Sequence, residues 1–110
     1  MPYIRTTVSK SINPGQRDIL KSKLGNAIAL IPGKSEAWLM LAFEDNMSMY
    51  FKGDNSADYA YVEVSLFGGA SDAAYDRLTA AISEIISETL GIDSSNIYIK
   101  YEEAEHWGWN

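Results

Sequence analysis

Pro2, Lys34, Tyr98 and Lys100 are the residues of this chain whose types and positions suit chemistry without a cofactor. Pro2 directly follows Met1. A Met before a small residue such as Pro is normally trimmed, which leaves the proline with a free secondary amine on a stiff ring. An ordinary α-amine titrates near pH ~8, and burial against apolar walls lowers that value by disfavouring the ammonium. A base poised near neutral pH is well placed for proton transfer. The plain alternative is a proline that begins a strand, and the residue taken alone favours it. Lys34 follows Gly33, where it can either meet an anionic ligand or complement the C-terminal end of a helix. Tyr98 and Lys100 share one strand face by alternation, an arrangement that is usually a surface pair. Trp38, Trp107 and Trp109 supply large apolar surfaces, more often core than pocket, and at least one is expected in the core. Glu102, Glu103 and Glu105 beside His106 suggest a metal less strongly than they suggest a solvated acidic turn. Gly68-Gly69 precedes a helical stretch without the Lys-Ser/Thr of a phosphate loop, so a turn is the better reading.

Composition removes several other functions. The chain has 110 residues, enough for one domain spanning 1–110, with an ordinary globular share of apolar and charged residues. It has no cysteine and one histidine, which excludes disulfides, thiolate nucleophiles and Cys- or His-based zinc sites. No cofactor is expected. The net charge of −6 works against nucleic-acid binding, which needs a basic footprint on phosphate. No segment has the length of a membrane span, and the N-terminus lacks the apolar core of a signal peptide, so no membrane partner and a cytoplasmic location are expected.

The elements that must position these residues fall into two similar halves. Tyr3–Val8 is rich in β-branched residues and reads as a strand. Asn13-Pro14 then supplies a helix cap and a favoured first helical residue. Leu20, Leu24, Ala27, Ile28 and Ile31 recur at helical spacing, with Gly33 as the expected terminator. The run Ala37–Phe43 is apolar throughout and reads as one strand buried on both sides. The second half repeats the order: strand Tyr61–Leu66, a Gly68-Gly69 turn, a cap at Ser71 or Asp72, a helix with Leu78, Ile82, Ile85 and Ile86 on one face, Gly91, and strand Ile97–Tyr101. One offset brings Tyr3 onto Tyr61, Leu20 onto Leu78 and Gly33 onto Gly91, which indicates a duplicated βαβ unit over about 2–44 and 59–101. Met49–Phe51 is expected as an extra strand between the halves. The fold class is therefore α+β: two βαβ units related by a pseudo-twofold, forming a four-stranded mixed sheet with both helices on one face. The opposite face is bare, and because Ala37–Phe43 is apolar on both sides it needs covering, for which further copies of the chain are expected.

These features together resemble the macrophage migration inhibitory factor family of the tautomerase superfamily. The resemblance is carried by Pro2 after Met1, Gly33-Lys34, Phe51 with Gly53, Ser65-Leu66-Phe67-Gly68, Ile97-Tyr98-Ile99 and Gly108-Trp109-Asn110. It implies a homotrimer with a site at each subunit boundary. It also implies Pro2 as catalytic base, Lys34 as the cation for a substrate carboxylate, a backbone N–H from Phe67, and Tyr98 lent by the neighbouring subunit. Tyr3, Trp38, Trp107 and Trp109 then match the pocket walls. The implied activity is keto–enol tautomerisation of a small anionic keto acid resembling an aryl pyruvate. Three departures stand out. Lys100 replaces an asparagine that contacts substrate in mammalian members, the sequence ends at Asn110 without a short closing tail, and no Cys-x-x-Cys element is present to support redox activity. Lys34 and Lys100 facing one aromatic pocket would create a local well for an anion in an acidic chain.

Two rivals remain. The hydratase or dehalogenase branch of the superfamily uses arginines beside a protonated proline, but the arginines here are Arg5, Arg17 and Arg77, on the opposite strand face or on helices. The alternative from another class is a cytokine-like signalling protein exported without a leader, with a protein receptor as partner and tautomerase activity incidental.

Overall fold

The computed structural model describes all 110 residues. Strand β1 (Pro2–Val8) leads to helix α1 (Pro14–Ala27), then to β2 (Met40–Glu44); β3 (Ala60–Phe67), α2 (Asp72–Leu90) and β4 (Ile97–Ala104) follow. The sheet order is β2-β1-β3-β4. β1 pairs parallel with β2 and β3 with β4, whereas β1 and β3 run antiparallel at the centre. The arrangement is the expected mixed sheet with its two pseudo-twofold-related halves.

Local chemistry sets the helix boundaries. Asn13 and Gln16 form a reciprocal capping box, with Pro14 in the first turn. Ser71, rather than Asp72, caps α2, and Gly91 ends it at φ 71°. α1 stops earlier than its apolar periodicity suggests. It gives way to a 3-10 turn at Ile28–Leu30, and Ile31 is extended. Ile31 precedes Pro32, and the proline ring disfavours helical backbone in the residue before it. Gly33 therefore terminates no helix. With φ 82° and the Lys34 N–H bonded to the Ile31 carbonyl, it completes a tight Pro-Gly turn.

Both helices cover one face of the sheet. Ile4 and Val8 of β1 and Val62, Val64 and Leu66 of β3 pack there against Leu20 and Leu24 of α1 and Leu78, Ile82 and Ile86 of α2. The other face departs from expectation. Ala37–Phe43 is not one strand: Glu36–Trp38 forms a 3-10 turn, and β2 begins only at Met40. Leu41 and Phe43 turn toward the helices, so β2 gives the outer face Met40, Ala42 and Glu44. The remaining strands add Arg5, Glu63, Lys100 and Glu102, joined by the ion pairs Arg5–Glu44, Arg5–Glu63, Lys100–Glu63 and Lys100–Glu102. The outer face is thus mixed: a charged strip crosses it, and Tyr3, Met40, Tyr61, Phe67 and Tyr98 add aromatic and apolar surface beside that strip, so it is less uniformly apolar than the run Ala37–Phe43 suggests. The extra strand expected at Met49–Phe51 reduces to one bridge between Phe51 and Asp54. Lys52 and Gly53, both at positive φ, turn the backbone there too tightly for a ladder.

Candidate active site

A cleft of about 610 Å³ opens at the end of the sheet where β1 starts and β3 finishes. Its walls include Pro2, Tyr3, Trp38, Met40, Trp107 and Trp109. The 3-10 turn lifts Trp38 out of the sheet, and its ring meets Trp109 edge-on at 4.8 Å between centroids. The turn is held close to α1 because Gly25 lacks a side chain; a Cβ there would stand 2.6 Å from the Glu36 carboxyl carbon. None of the three tryptophans belongs to the core. Trp38 is 53% exposed and Trp109 64%, which corrects the expectation that at least one is buried. Ala37, Leu39 and Met40 also line the cleft. An unbroken apolar run hides them, and the parallel register that sets Met40 beside Tyr3 is visible only in the structure.

The peptide joining Met1 to Pro2 fixes where the proline nitrogen points. The Phe67 N–H donates to the Met1 carbonyl at 3.2 Å, so that carbonyl faces β3. Trimming breaks the bond from Pro2 N to the Met1 carbonyl carbon, so the freed valence points where Met1 lies, and Met1 and Pro2 both line the cleft. The Pro2 residue itself is buried, and its Cα pairs with Leu66.

Lys34 lies at the rim. The Pro-Gly turn delivers it, and its ammonium donates to the Phe67 carbonyl at 2.9 Å. It complements no helix end. The Met1 α-amine beside it sits below the ordinary α-amine range, through burial first and then the nearby Lys34 charge. Phe67 thus offers one backbone group to Lys34 and the other to Met1, and its side chain is exposed.

Tyr98 and Lys100 are not brought to this cleft within one chain. Tyr98 pairs with Tyr61 far along β3 and stacks edge-on with Phe51 at 5.2 Å, beside a small aromatic pocket of about 100 Å³. The Lys100 ammonium is 2.7 Å from Glu102 and 3.8 Å from Glu63, and lies over the Tyr61 ring. Glu102 first, and then Tyr61, hold its pKa above the usual lysine value. It is a neutralised cation rather than a free one. Glu103 accepts a hydrogen bond from Tyr75, so Glu102 and Glu103 are both engaged by side chains in the fold. Gly68 takes φ 83°, as the turn reading requires.

The family model for macrophage migration inhibitory factor matches residues 1–110. A search of curated proteins found no match. Among solved structures, the chain is similar to MIF2 of Leishmania major, at 33% identity and TM-score 0.92, over 100% of this chain and 94% of that one. It is similar also to the macrophage migration inhibitory factor homologue of Prochlorococcus marinus, at 27% identity and TM-score 0.86, over 98% and 95%. The fold extends to the Q0 fused 4-OT wild type symmetric trimer, at 18% identity and TM-score 0.82, over 93% and 85%. By the full-length family match and the Leishmania likeness, the chain belongs to the macrophage migration inhibitory factor family of the tautomerase superfamily.

Proposed function

We propose that the protein is a keto–enol tautomerase for small anionic keto acids of the aryl pyruvate kind, with the Pro2 amine as base once Met1 is removed. The observation that carries this reading is that Met1 and Pro2 line one aromatic cleft with Trp38, Trp107 and Trp109, with Lys34 beside the N-terminal amine. The amine removes a proton from the carbon beside the keto group. The C–H electron pair forms the new C=C bond, the carbonyl π pair moves to oxygen, and oxygen takes the proton back from the prolinium, directly or through water, giving the enol and the neutral amine. The amine must be neutral to begin, and the burial and the Lys34 charge that lower the Met1 amine would act on Pro2 as well. Lys34 and the Phe67 N–H, freed with Met1, bind the carboxylate; Trp38 and Trp109 hold the aryl ring.

A trimer completes the reading. A related fold occurs as a symmetric trimer, and Tyr98 and Lys100 reach a cleft only if a neighbouring copy brings them. The test is turnover of phenylpyruvate by Met-free protein, followed by enol absorbance, with mass from light scattering. Turnover by a trimer, lost in Pro2→Gly, is the expected result. Unchanged turnover in Pro2→Gly excludes the proline as base, and a monomer excludes the shared site.

A further inference from the structure

The segment that joins β3 to α2 carries the carbonyl to which Lys34 is fastened, and it is held from an unexpected side. The Gly68 N–H donates to the Ala104 carbonyl at 2.9 Å, which ties the turn to the end of β4. Next to it, the Glu103 carboxylate lies directly over Gly69. A Cβ at Gly69 would stand 2.7 Å from the Glu103 carboxyl carbon, so only glycine allows this approach. The Tyr75 hydroxyl, from the second turn of α2, donates to the same carboxylate at 2.5 Å. Tyr75 is itself braced: its ring packs on Tyr101 at 4.5 Å between centroids, and the Tyr101 hydroxyl lies 2.7 Å from the Thr79 hydroxyl and 3.2 Å from the Tyr75 carbonyl. Tyr75, Glu103 and Gly69 thus form a clamp running from α2 across β4 to the turn, and the turn leads through the Phe67 carbonyl to the Lys34 ammonium.

We propose that Tyr75 and Glu103 are positioning residues for the active site: they hold the Phe67–Gly69 turn so that the Phe67 carbonyl aims Lys34 at the cleft rim. Neither residue lines the cleft. The inference rests on the tautomerase reading only for its kinetic consequence, since the clamp itself is a property of the fold. Burial first, and then the Glu103 contact, push the Tyr75 hydroxyl up to about 12, so it stays a donor throughout the working pH range.

The experiment compares Met-free wild type with Glu103→Ala, Glu103→Gln, Gly69→Ala and the double variant Gly69→Ala/Glu103→Ala. Misplacing a charged contact while leaving it intact should raise KM for phenylpyruvate roughly 3- to 10-fold in Glu103→Ala, with kcat within about twofold. Glu103→Gln retains an oxygen for the Tyr75 hydroxyl and should keep KM near the wild-type value. Gly69→Ala alone should raise KM by displacing the carboxylate, but in the Glu103→Ala background it should add nothing, because the three atoms nearest the new methyl all belong to the Glu103 carboxylate and are then gone. Single-variant costs that add in the double variant, or a wild-type KM in Glu103→Ala, would overturn the proposal. Hydrogen exchange at the Gly68 amide gives a readout that needs no turnover. Faster exchange in Glu103→Ala supports the clamp even if phenylpyruvate proves not to be a substrate; unchanged exchange overturns it. Faster exchange with an unchanged KM would overturn the link from the turn to Lys34.

Discussion

Replacing Lys34 with Ala removes one cation and should leave two separate marks. The ammonium makes its one hydrogen bond in the chain to the Phe67 carbonyl, on an exposed surface, so the fold should lose no more than about 0.5 kcal/mol. In the proposed site its contact with a substrate carboxylate would be charge-assisted, and such bonds contribute about 1.5–3 kcal/mol. At ~1.4 kcal/mol per factor of ten, KM for phenylpyruvate should rise about 10- to 100-fold. The contact is held equally in ground and transition states, so kcat should barely move. The second mark is in the pH profile. A neighbouring positive charge disfavours an ammonium; Lys34 lowers the pKa of the Met1 amine and, from the same place, would lower that of the Pro2 amine after trimming. Deleting it must raise that pKa, so the acidic limb of kcat/KM should move to higher pH. Burial is the larger cause and remains, so the limb should still lie below that of an exposed amine. The assay is initial rates across pH 5 to 9 at low salt, with Lys34→Arg as a control that keeps the charge. An unchanged KM together with an unmoved limb would refute the placement of Lys34 beside the base.

Protein that retains Met1, released from a fusion by a protease that leaves it in place, should neither turn over phenylpyruvate nor bind the unreactive phenylacetate, because the Met1 carbonyl occupies the Phe67 N–H. Tryptophan fluorescence reads the binding, and equal affinity in trimmed and untrimmed protein would contradict this. Lys100→Asn should change KM by less than about fivefold, because Glu102 and Glu63 already neutralise the ammonium; a tenfold rise would show instead a free cation in the site. Leu78→Ala, at a fully buried position between α2 and the sheet, should cost about 2–5 kcal/mol in urea unfolding at fixed protein concentration, and a loss under 1 kcal/mol would contradict that packing.

The fold was legible wherever a residue type acts locally. Asn13-Pro14, Ser71 and Gly91 announce helix ends by their own stereochemistry, and the alternation in Tyr61–Leu66 fixes a strand face. Ala37–Phe43 was misread because an unbroken apolar run has no period, and a 3-10 turn inside it leaves no trace. The end of α1 is written in Ile31-Pro32, whereas Gly33 belongs to the turn that follows. Pro2 is intelligible as a base only through resemblance, since the aromatic cleft it lines is assembled from residues 37–40 and 107–109, far from it in sequence. Tyr75 and Glu103 lie 28 positions apart, and nothing local in either residue foretells their meeting over Gly69.

The charged strip crosses all four strands: Glu44 on β2, Arg5 on β1, Glu63 on β3, and Lys100 with Glu102 on β4. Drying these ions would cost several kcal/mol each. In an assembly that turned these faces inward, the charged strip would line a wet lumen. Two cations against three carboxylates leave each wall with a net charge of −1. Such a lumen draws in small cations and repels an anionic keto acid. Substrate would accordingly enter each cleft from the outer rim, where Lys34 stands, and the axis of the assembly would carry only water and counterions.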